Sequence, residues 1–237
     1  MNPSVYSLSA AMINQLNRVD VISNNLANLN TNAFKEDQVV EGSFNYHLEK
    51  MAQKKITPTK LDTIANTVPK IDGNFMRGEV GSIVETGNSL DFAIKANDIF
   101  FKVKDKNGDI LLTRDGSFKN LGGILSTFDG KQVLNNDNQP INIEAGFEPQ
   151  VSLMKTNFSN LSKIGNNYYK IEDQTKTTPI IDNDQFMLLG ALEKSNINAV
   201  TSMVALIDAQ RRLEQSQKAI TGISELSEKL LTKIDGR

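Results

Sequence analysis

Three side chains in the middle of the chain have the spacing at which calcium-binding loops begin. Asp105, Asn107 and Asp109 stand at alternate positions of the segment DKNGD. Such a loop also requires glycine at its sixth position and glutamate at its twelfth. Ile110 and Gly116 occupy those two positions. The segment is therefore predicted to be a hairpin turn, and no metal ion or cofactor is expected.

Residues for nucleophilic or acid–base catalysis are scarce. The 237 residues include no cysteine, no tryptophan and a single histidine, His47. This composition excludes disulfide scaffolds, thiolate metal sites and any catalytic group that needs two histidines. The sequence has no G-x-G-x-x-G, P-loop or G-x-S-x-G motif. Its carboxylates are expected to be solvated on turns and helix faces, and no enzymatic activity is predicted.

The charge balance argues against binding to nucleic acid or to a membrane. The chain has 26 basic and 28 acidic residues, a net charge of −2, which is too small a field to recruit a polyanion. No segment approaches the ~18–20 apolar residues of a membrane span. The first lysine or arginine is Arg18, so a cleavable secretory signal is not expected. The sequence alone predicts a cytoplasmic protein or one exported by another route.

The first 34 residues are predicted to form a helix that other protein surrounds. They contain only two charges, Arg18 and Asp20, beside eight asparagines. The alternative is an ordinary amphipathic core helix, whose outer face usually carries lysine and glutamate. The face opposite the apolar seam instead carries Ser, Asn and Ala. The seam has the alternating three- and four-residue spacing of a coiled coil, at Val5, Leu8, Met12, Gln15, Val19, Ile22 and Leu26.

A second long helix is predicted over residues 195–237. Asn198 or Ser195 could cap its first turn, and Gly236 follows its end. Its charges are mixed, and a sustained heptad spacing links Leu206, Ala209, Leu213, Ser216, Ile220, Ile223, Ser227, Leu230 and Ile234. The two terminal helices could pack as an antiparallel pair, although two helices alone offer little core.

Between the helices the apolar period changes to two, which predicts an all-β region. Turn residues separate short runs, and the pair Asn107-Gly108 is predicted to supply left-handed residues to a tight hairpin. Residues 36–74 are predicted to be an irregular connector with a possible short helix at 46–53. The predicted strands cover 88–95, 99–103, 110–114, 124–128, 132–134, 141–143, 151–155, 168–172 and 186–193.

Several segments resemble the flagellar rod and hook protein family. The N-terminal stretch 8–35, with SNNLAN at 23–28 and Phe34-Lys35, is similar to the opening helix of that family. The segment 190–220 resembles its closing helix, and NSLDFAI, TRDGSF and NFSNLSKIGNNYY resemble its central region. Two departures stand out. Ala33 replaces a usual glycine, which would cost ~1 kcal/mol if that position needs a positive φ. The segment 96–101 lacks the glycines of the family's Gly-x-Gly-Phe-Phe.

The resemblance implies an α+β fold with a discontinuous coiled-coil domain built from both termini. Its expected parts are an N-terminal helix at 1–35, a connector at 36–74, a β domain at 75–193 and a C-terminal helix at 194–237. The implied function is a structural subunit of the flagellar basal-body rod, the periplasmic drive shaft for motility. The implied partners are copies of itself, other rod and hook axial proteins, and the flagellar type III export apparatus, which would explain the missing signal peptide.

Among rod proteins the connector favours a proximal member over a distal one. A distal rod or hook-type axial subunit is the alternative within the family, and a free-standing coiled-coil adaptor with a partner-binding β domain is the alternative outside it. The residues predicted to mediate self-assembly and terminal-helix packing are Val5, Leu8, Met12, Val19, Ile22, Asn24, Asn25, Leu26, Asn28, Met203, Leu206, Ile207, Gln210, Leu213, Ile220, Ile223 and Leu230.

Overall fold

A computed structural model describes residues 3–42, 70–143, 150–180 and 185–235. These residues form two helices, α1 (Pro3–Ala27) and α2 (Ala199–Asp235), with antiparallel strands between them. The predicted α+β class is confirmed at this level. The chain divides into two compact units. The helical unit contains α1, α2 and the strands next to α1, and the β unit contains residues 28–36 and 76–197.

The helical unit also contains a small sheet. Strand β1 (Asp37–Gly42) pairs with β2 (Lys70–Met76). The two ends of the predicted connector are therefore strands, which its irregular composition did not indicate. The predicted short helix at 46–53 and His47 lie outside the described residues.

The two helices pack through the faces that carry the heptad positions. All seven seam residues of α1, from Val5 to Leu26, are half-buried, and Ala209 on α2 is fully buried. The segments after α1 and before α2 are joined by backbone hydrogen bonds, from Ala33 N–H to Glu193 O and from Asn196 N–H to Phe34 O. One helix therefore ends where the other begins, and the pair is antiparallel.

The start of α2 has a side-chain cap. The Asn198 Oδ1 accepts hydrogen bonds from the backbone N–H groups of Val200 at 3.0 Å and Thr201 at 3.2 Å. These two groups have no partner within the helix, so the cap satisfies them. The prediction that Asn198 could cap this helix is confirmed.

A nine-stranded antiparallel sheet forms most of the β unit. Seven strands follow the spatial order β11-β12-β6-β5-β9-β8-β7, and β10 pairs with both β5 and β13. Two further pairs stand apart, β14 with β4 and β15 with β3. The strands are β3 (Ile83–Glu85), β4 (Phe92–Ile94), β5 (Ile99–Lys104), β6 (Ile110–Thr113), β7 (Lys119–Leu121), β8 (Ile124–Ser126), β9 (Gln132–Val133), β10 (Leu153–Lys155), β11 (Leu161–Gly165), β12 (Tyr168–Ile171), β13 (Thr178–Ile180), β14 (Met187–Leu189) and β15 (Ala191–Glu193).

Strand β5 supplies both hydrophobic cores of this unit. Successive side chains of a strand point to opposite faces, so Phe100 and Phe101 enter different clusters. Phe101 packs edge-on against Phe118 at 5.2 Å between ring centroids. Phe100 packs in the same way against Phe158 at 5.0 Å. Phe100 and Phe101 are both fully buried, so β5 is the central strand of the unit.

Three local predictions are wrong in detail. In the hairpin between β5 and β6 only Gly108 has a positive φ, of 91°, so Asn107 is not left-handed. The single strand predicted at 186–193 is two strands, because Gly190 lies between them with a φ of 68°. The strand predicted at 141–143 is absent, since only an isolated bridge from Asn142 to Ile124 forms there. Strands β3, β7, β11 and β13 were not predicted by the sequence pattern.

Candidate functional site

An apolar stripe lies exposed on the first turns of α2. Val200, Met203, Val204 and Ile207 follow the i, i+3, i+4, i+7 spacing that puts side chains on one helix face. Their side chains are between 48% and 71% exposed. We call these four residues the α2 stripe. Ser202 and Ala209, on the opposite side of the helix, are buried.

Apart from Asn25, which is buried, the residues predicted to mediate assembly fall into two groups. Most lie half-buried in the seam between the helices, where they contribute to packing within one chain. Met203, Ile207, Gln210 and Leu230 are exposed on α2, and Asn24 is exposed on α1. Val200 and Val204 belong to the same exposed face, but the heptad pattern selected only one side of the helix. The half-buried group contains Val5, Leu8, Met12, Val19, Ile22, Leu26, Asn28, Leu206, Leu213, Ile220 and Ile223.

Asn25 holds the chain within the helical unit. Its side chain is buried, and its Nδ2 donates to Asp37 O at 2.8 Å. Its Oδ1 accepts from the Asp37 N–H at 3.0 Å. Two hydrogen bonds from one amide fix the start of β1 against the last turn of α1. These contacts are internal to the chain.

The β unit contains a buried ion cluster of one anion and two cations. The Lys35 Nζ donates to Glu193 Oε1 at 2.6 Å and to Glu79 O at 2.6 Å. Arg114 donates to Glu193 Oε2 from Nε at 3.0 Å and from Nη2 at 2.8 Å. The Gly81 N–H donates to Glu193 Oε1 at 2.9 Å. The three charged side chains are fully buried, so the expectation of solvated carboxylates is wrong for Glu193.

Backbone carbonyls satisfy the remaining donors of the Arg114 guanidinium. Nη1 donates to Ala96 O at 3.0 Å and to Ile99 O at 2.8 Å, and Nη2 donates to Ile94 O at 3.3 Å. A planar guanidinium suits such a fixed set of acceptors. Arg114, directly after β6, therefore links the end of β4, the start of β5 and Glu193 on β15.

Asn196 fixes the segment after Glu193 in the same way. Its Oδ1 accepts from the Glu36 N–H at 2.8 Å. Its Nδ2 donates to Arg77 O at 2.9 Å and to Glu79 O at 3.2 Å. The segments that follow α1 and precede α2 are thus held side by side in the β unit.

Ala33 replaces a usual glycine of the family pattern, and its φ is positive. Its φ is 53°, its side chain is 1% exposed and its N–H donates to Glu193 O at 2.8 Å. Asp98, in the segment that lacks the family's glycines, also has a positive φ, of 58°. The backbone keeps a left-handed turn at both places without glycine, at a cost of ~1–2 kcal/mol each.

Burial and the nearby Arg114 guanidinium lower the pKa of Lys35 from 10.5 to about 8, against the opposing effect of Glu193. Between about pH 8 and about pH 10 an unfolded chain therefore binds more protons than the folded one. The free energy of unfolding of the β unit is expected to rise across this range, by on the order of 2 kcal/mol. Urea unfolding at neutral and at alkaline pH measures it.

The matched variant for this pH dependence is Lys35→Met. It removes the titrating amine and keeps the Arg114–Glu193 pair. The contribution of Lys35 to the rise in the free energy of unfolding is therefore expected to disappear. A rise of equal size in both proteins, or a fall in the unchanged chain, would contradict the prediction.

A metal-binding group and a membrane-spanning helix are both absent from the described residues. In the ranges given above, no group of three or more histidine, aspartate or glutamate side chains could hold a metal ion. Neither α1 nor α2 is long and apolar enough to cross a membrane. What the described part of the chain presents is an exposed apolar stripe and a rigidly braced β unit.

Both ends of the chain match models of known protein families. Residues 6–35 match the family model for flagella basal body rod protein, and residues 188–233 match the model for the C-terminal region of flagellar basal body rod FlgEFG proteins. Lys35 is the last residue of the first match, and Glu193 lies in the second. Two of the three members of the ion cluster therefore belong to family segments.

Similarity to curated relatives extends over nearly the whole chain. The flagellar basal-body rod protein FlgG of Buchnera aphidicola subsp. Schizaphis graminum is 29% identical, with 97% of this chain and 99% of the relative covered. FlgF of Caulobacter vibrioides is 28% identical, with 91% of each chain covered. FlgG of Borreliella burgdorferi is 29% identical, with 93% of this chain and 94% of the relative covered. Both ends of this chain therefore match family models of flagellar basal-body rod proteins, and the sequence is similar over nearly its whole length to proteins named FlgG and FlgF.

Proposed function

We propose that this chain is a structural subunit of the flagellar basal-body rod and polymerises through its terminal helices, with α1 and α2 packed as a coiled coil in the inner part of the rod. The heptad spacing of both helices and their antiparallel packing support the coiled coil. The proposed partners are copies of this chain and other rod and hook axial proteins. The proposed location is the periplasmic rod, reached through the flagellar type III export apparatus, and a proximal position in the rod stays a prediction.

The exposed α2 stripe is the observation that carries this proposal. A surface helix of a finished protein usually presents polar residues on the side opposite its packing face. Here that side carries Val200, Met203, Val204 and Ile207 over the first two turns. Exposed apolar groups that form a contiguous patch mark an interaction surface. The helical unit therefore needs a neighbour on this side.

The composition of α1 supports the same conclusion. Its described turns carry only Arg18 and Asp20 as charged residues, and the apolar side chains of Ile13 and Leu16 are exposed. Such a surface loses little solvation energy when other protein covers it, because few charges must leave water. Contacts that do not close on themselves then produce an open helical assembly.

Val204→Asp is the test of this proposal. A carboxylate in the centre of the α2 stripe would have to be buried without a partner on assembly. We expect the variant to fold, because Val204 is exposed, and to leave the cells without complete rods and without swimming. Electron microscopy of basal bodies and motility in soft agar measure these results.

Gln217→Asp is the matched control, since Gln217 is an exposed α2 residue outside the stripe. It should assemble and swim normally. Normal rods and swimming with Val204→Asp would contradict the proposal. A purified chain that forms a soluble dimer of fixed size would instead indicate a free-standing adaptor.

A further inference from the structure

Two further apolar side chains, Leu226 and Leu230, lie exposed on the last turns of α2. Helix α2 has 37 residues and α1 has 25. The residues from Ser224 to Leu230 are all exposed, and the side chains of Leu226 and Leu230 are 63% and 62% exposed. Because the helices are antiparallel and α2 is the longer one, its last turns lie at the end of the pair where α1 begins. We call residues 224–235 the α2 extension.

We propose that the α2 extension of one copy packs on the α2 stripe of the next copy. This pairing rests on the proposed function and specifies which two surfaces meet. The stripe lies at the first turns of α2, and the extension lies at its last turns. Copies stacked in one direction along the helix axis bring these two ends together. The contact joins two different surfaces, so it repeats without closing.

The lengths of the two surfaces match. The extension has twelve residues and spans about 18 Å at the helical rise of ~1.5 Å per residue. The stripe covers eight residues, or about 12 Å. The extension is therefore long enough to cover the whole stripe of a second copy.

The spacing of apolar and charged residues also matches. Copies with the same orientation place the two helices parallel, so that Leu226 can face Val200 while Leu230 faces Val204. The same offset puts Lys233 level with Ile207, one residue or ~1.5 Å along the axis from Asp208, and Lys233 and Asp208 are both exposed in one copy. An opposite charge at the rim of an apolar contact favours one register over its neighbours. A second copy of this chain is thus the occupant that fits the stripe.

Cysteine cross-linking tests this pairing cleanly because the chain has no cysteine of its own. Purified Val204→Cys and Leu230→Cys proteins, carrying tags of different size, are concentrated and oxidised alone and as a mixture. We expect a covalent heterodimer in the mixture and little product from either protein alone. The protein that carries both substitutions should give a ladder of oligomers, as a repeating contact requires.

A mixture of Gln217→Cys and Leu230→Cys proteins provides the control, and it should give several-fold less heterodimer. Equal yields from this mixture, or efficient cross-linking of Val204→Cys protein with itself, would overturn the pairing. Charge reversal supplies a second measurement. Lys233→Glu in the Leu230→Cys protein, or Asp208→Lys in the Val204→Cys protein, should by itself reduce the heterodimer yield. The mixture in which both proteins carry their charge reversal should recover it. Failure of restoration would count against the register.

The two proposals fail in different ways. If Val204→Asp abolishes rods but the cross-link does not form, the stripe mediates assembly and its partner is another surface. If Val204→Asp cells swim normally, the proposal of assembly through the stripe itself is wrong.

Discussion

A Glu193→Gln variant is expected to lose most of the stability of its β unit. Glu193 is the only anion in the buried cluster and accepts four hydrogen bonds, from Lys35, Arg114 and Gly81. A glutamine amide keeps the shape of the side chain but removes the charge. An NH₂ group would then replace one of the two carboxylate oxygens and would face the N–H donors that this oxygen accepts from. Two buried cations would face each other without a counter-charge.

The expected loss is about 3–5 kcal/mol, the range measured when one partner of a buried ion pair is removed. Whole domains are stable by only about 5–15 kcal/mol, so the variant should be unfolded at mild urea concentrations. Lys35 can release its proton more easily than an ordinary lysine. The loss should therefore be smaller at alkaline pH, where the Lys35 amine is neutral.

Urea unfolding followed by tyrosine fluorescence measures this loss, because Tyr168 and Tyr169 are buried in the β unit. Glu85→Gln is the matched control, since Glu85 is exposed on β3, the strand that pairs with β15. It should change stability by less than about 0.5 kcal/mol. Adding Lys35→Met to Glu193→Gln should recover part of the stability, because one buried cation is removed. Equal stability of Glu193→Gln and Glu85→Gln would show that the cluster is not essential.

The helices could be predicted from sequence because their signals are local. A seam repeats every three or four residues, and a cap is set by a residue next to the first turn. Asn198 and the half-buried residues of α1 were found in this way. The heptad pattern did not predict a role for Val200 and Val204, because it identifies only the packing face of a helix and gives no information on the polarity of the opposite face. Their i, i+4 spacing was present in the sequence.

The ion cluster could not be predicted from sequence because its members are far apart in the chain. Lys35 and Glu193 are separated by 158 positions, and Arg114 and Glu193 by 79. A lone charged residue beside an apolar strand is solvated in most proteins, and only tertiary structure brings these three together. The resemblance to rod proteins included all three residues but gave no reason for their presence. Their burial supplies that reason.

The cluster also lies where the chain leaves the β unit. Residues 28–36 and 76–197 belong to this unit, so the chain departs toward the helical unit next to Glu36 and Ile197. Lys35 and Glu193 hold the chain close to these two points, and Asn196 binds Glu36 directly. A buried ion pair and an amide brace therefore fix the ends of the connections on the β side.

Gly116→Ala is expected to destabilise the β unit through a backbone clash. An added Cβ would lie 1.8 Å from Phe92 O and 2.8 Å from the Phe92 carbonyl carbon. The Phe92 N–H donates to Gly116 O at 3.0 Å, so the two backbones cannot separate without losing this bond. Phe92 packs with Phe101 and Phe118 in the larger core. Displacement of its backbone would disturb all three rings.

We expect a loss of about 3 kcal/mol or more, at the upper end of the cost of overpacking a core. Gly130→Ala separates this effect from conformational strain. Gly130 has a φ of 83° with open space around it, whereas Gly116 has no positive φ. Gly130→Ala should cost only about 1–2 kcal/mol, the cost of a left-handed alanine. Urea unfolding of the two variants compares them, and an equal loss in both would mean that the backbone moves away from the added methyl group. A larger loss at Gly116 would show that glycine in the segment TRDGSF is required by close contact and not by turn conformation.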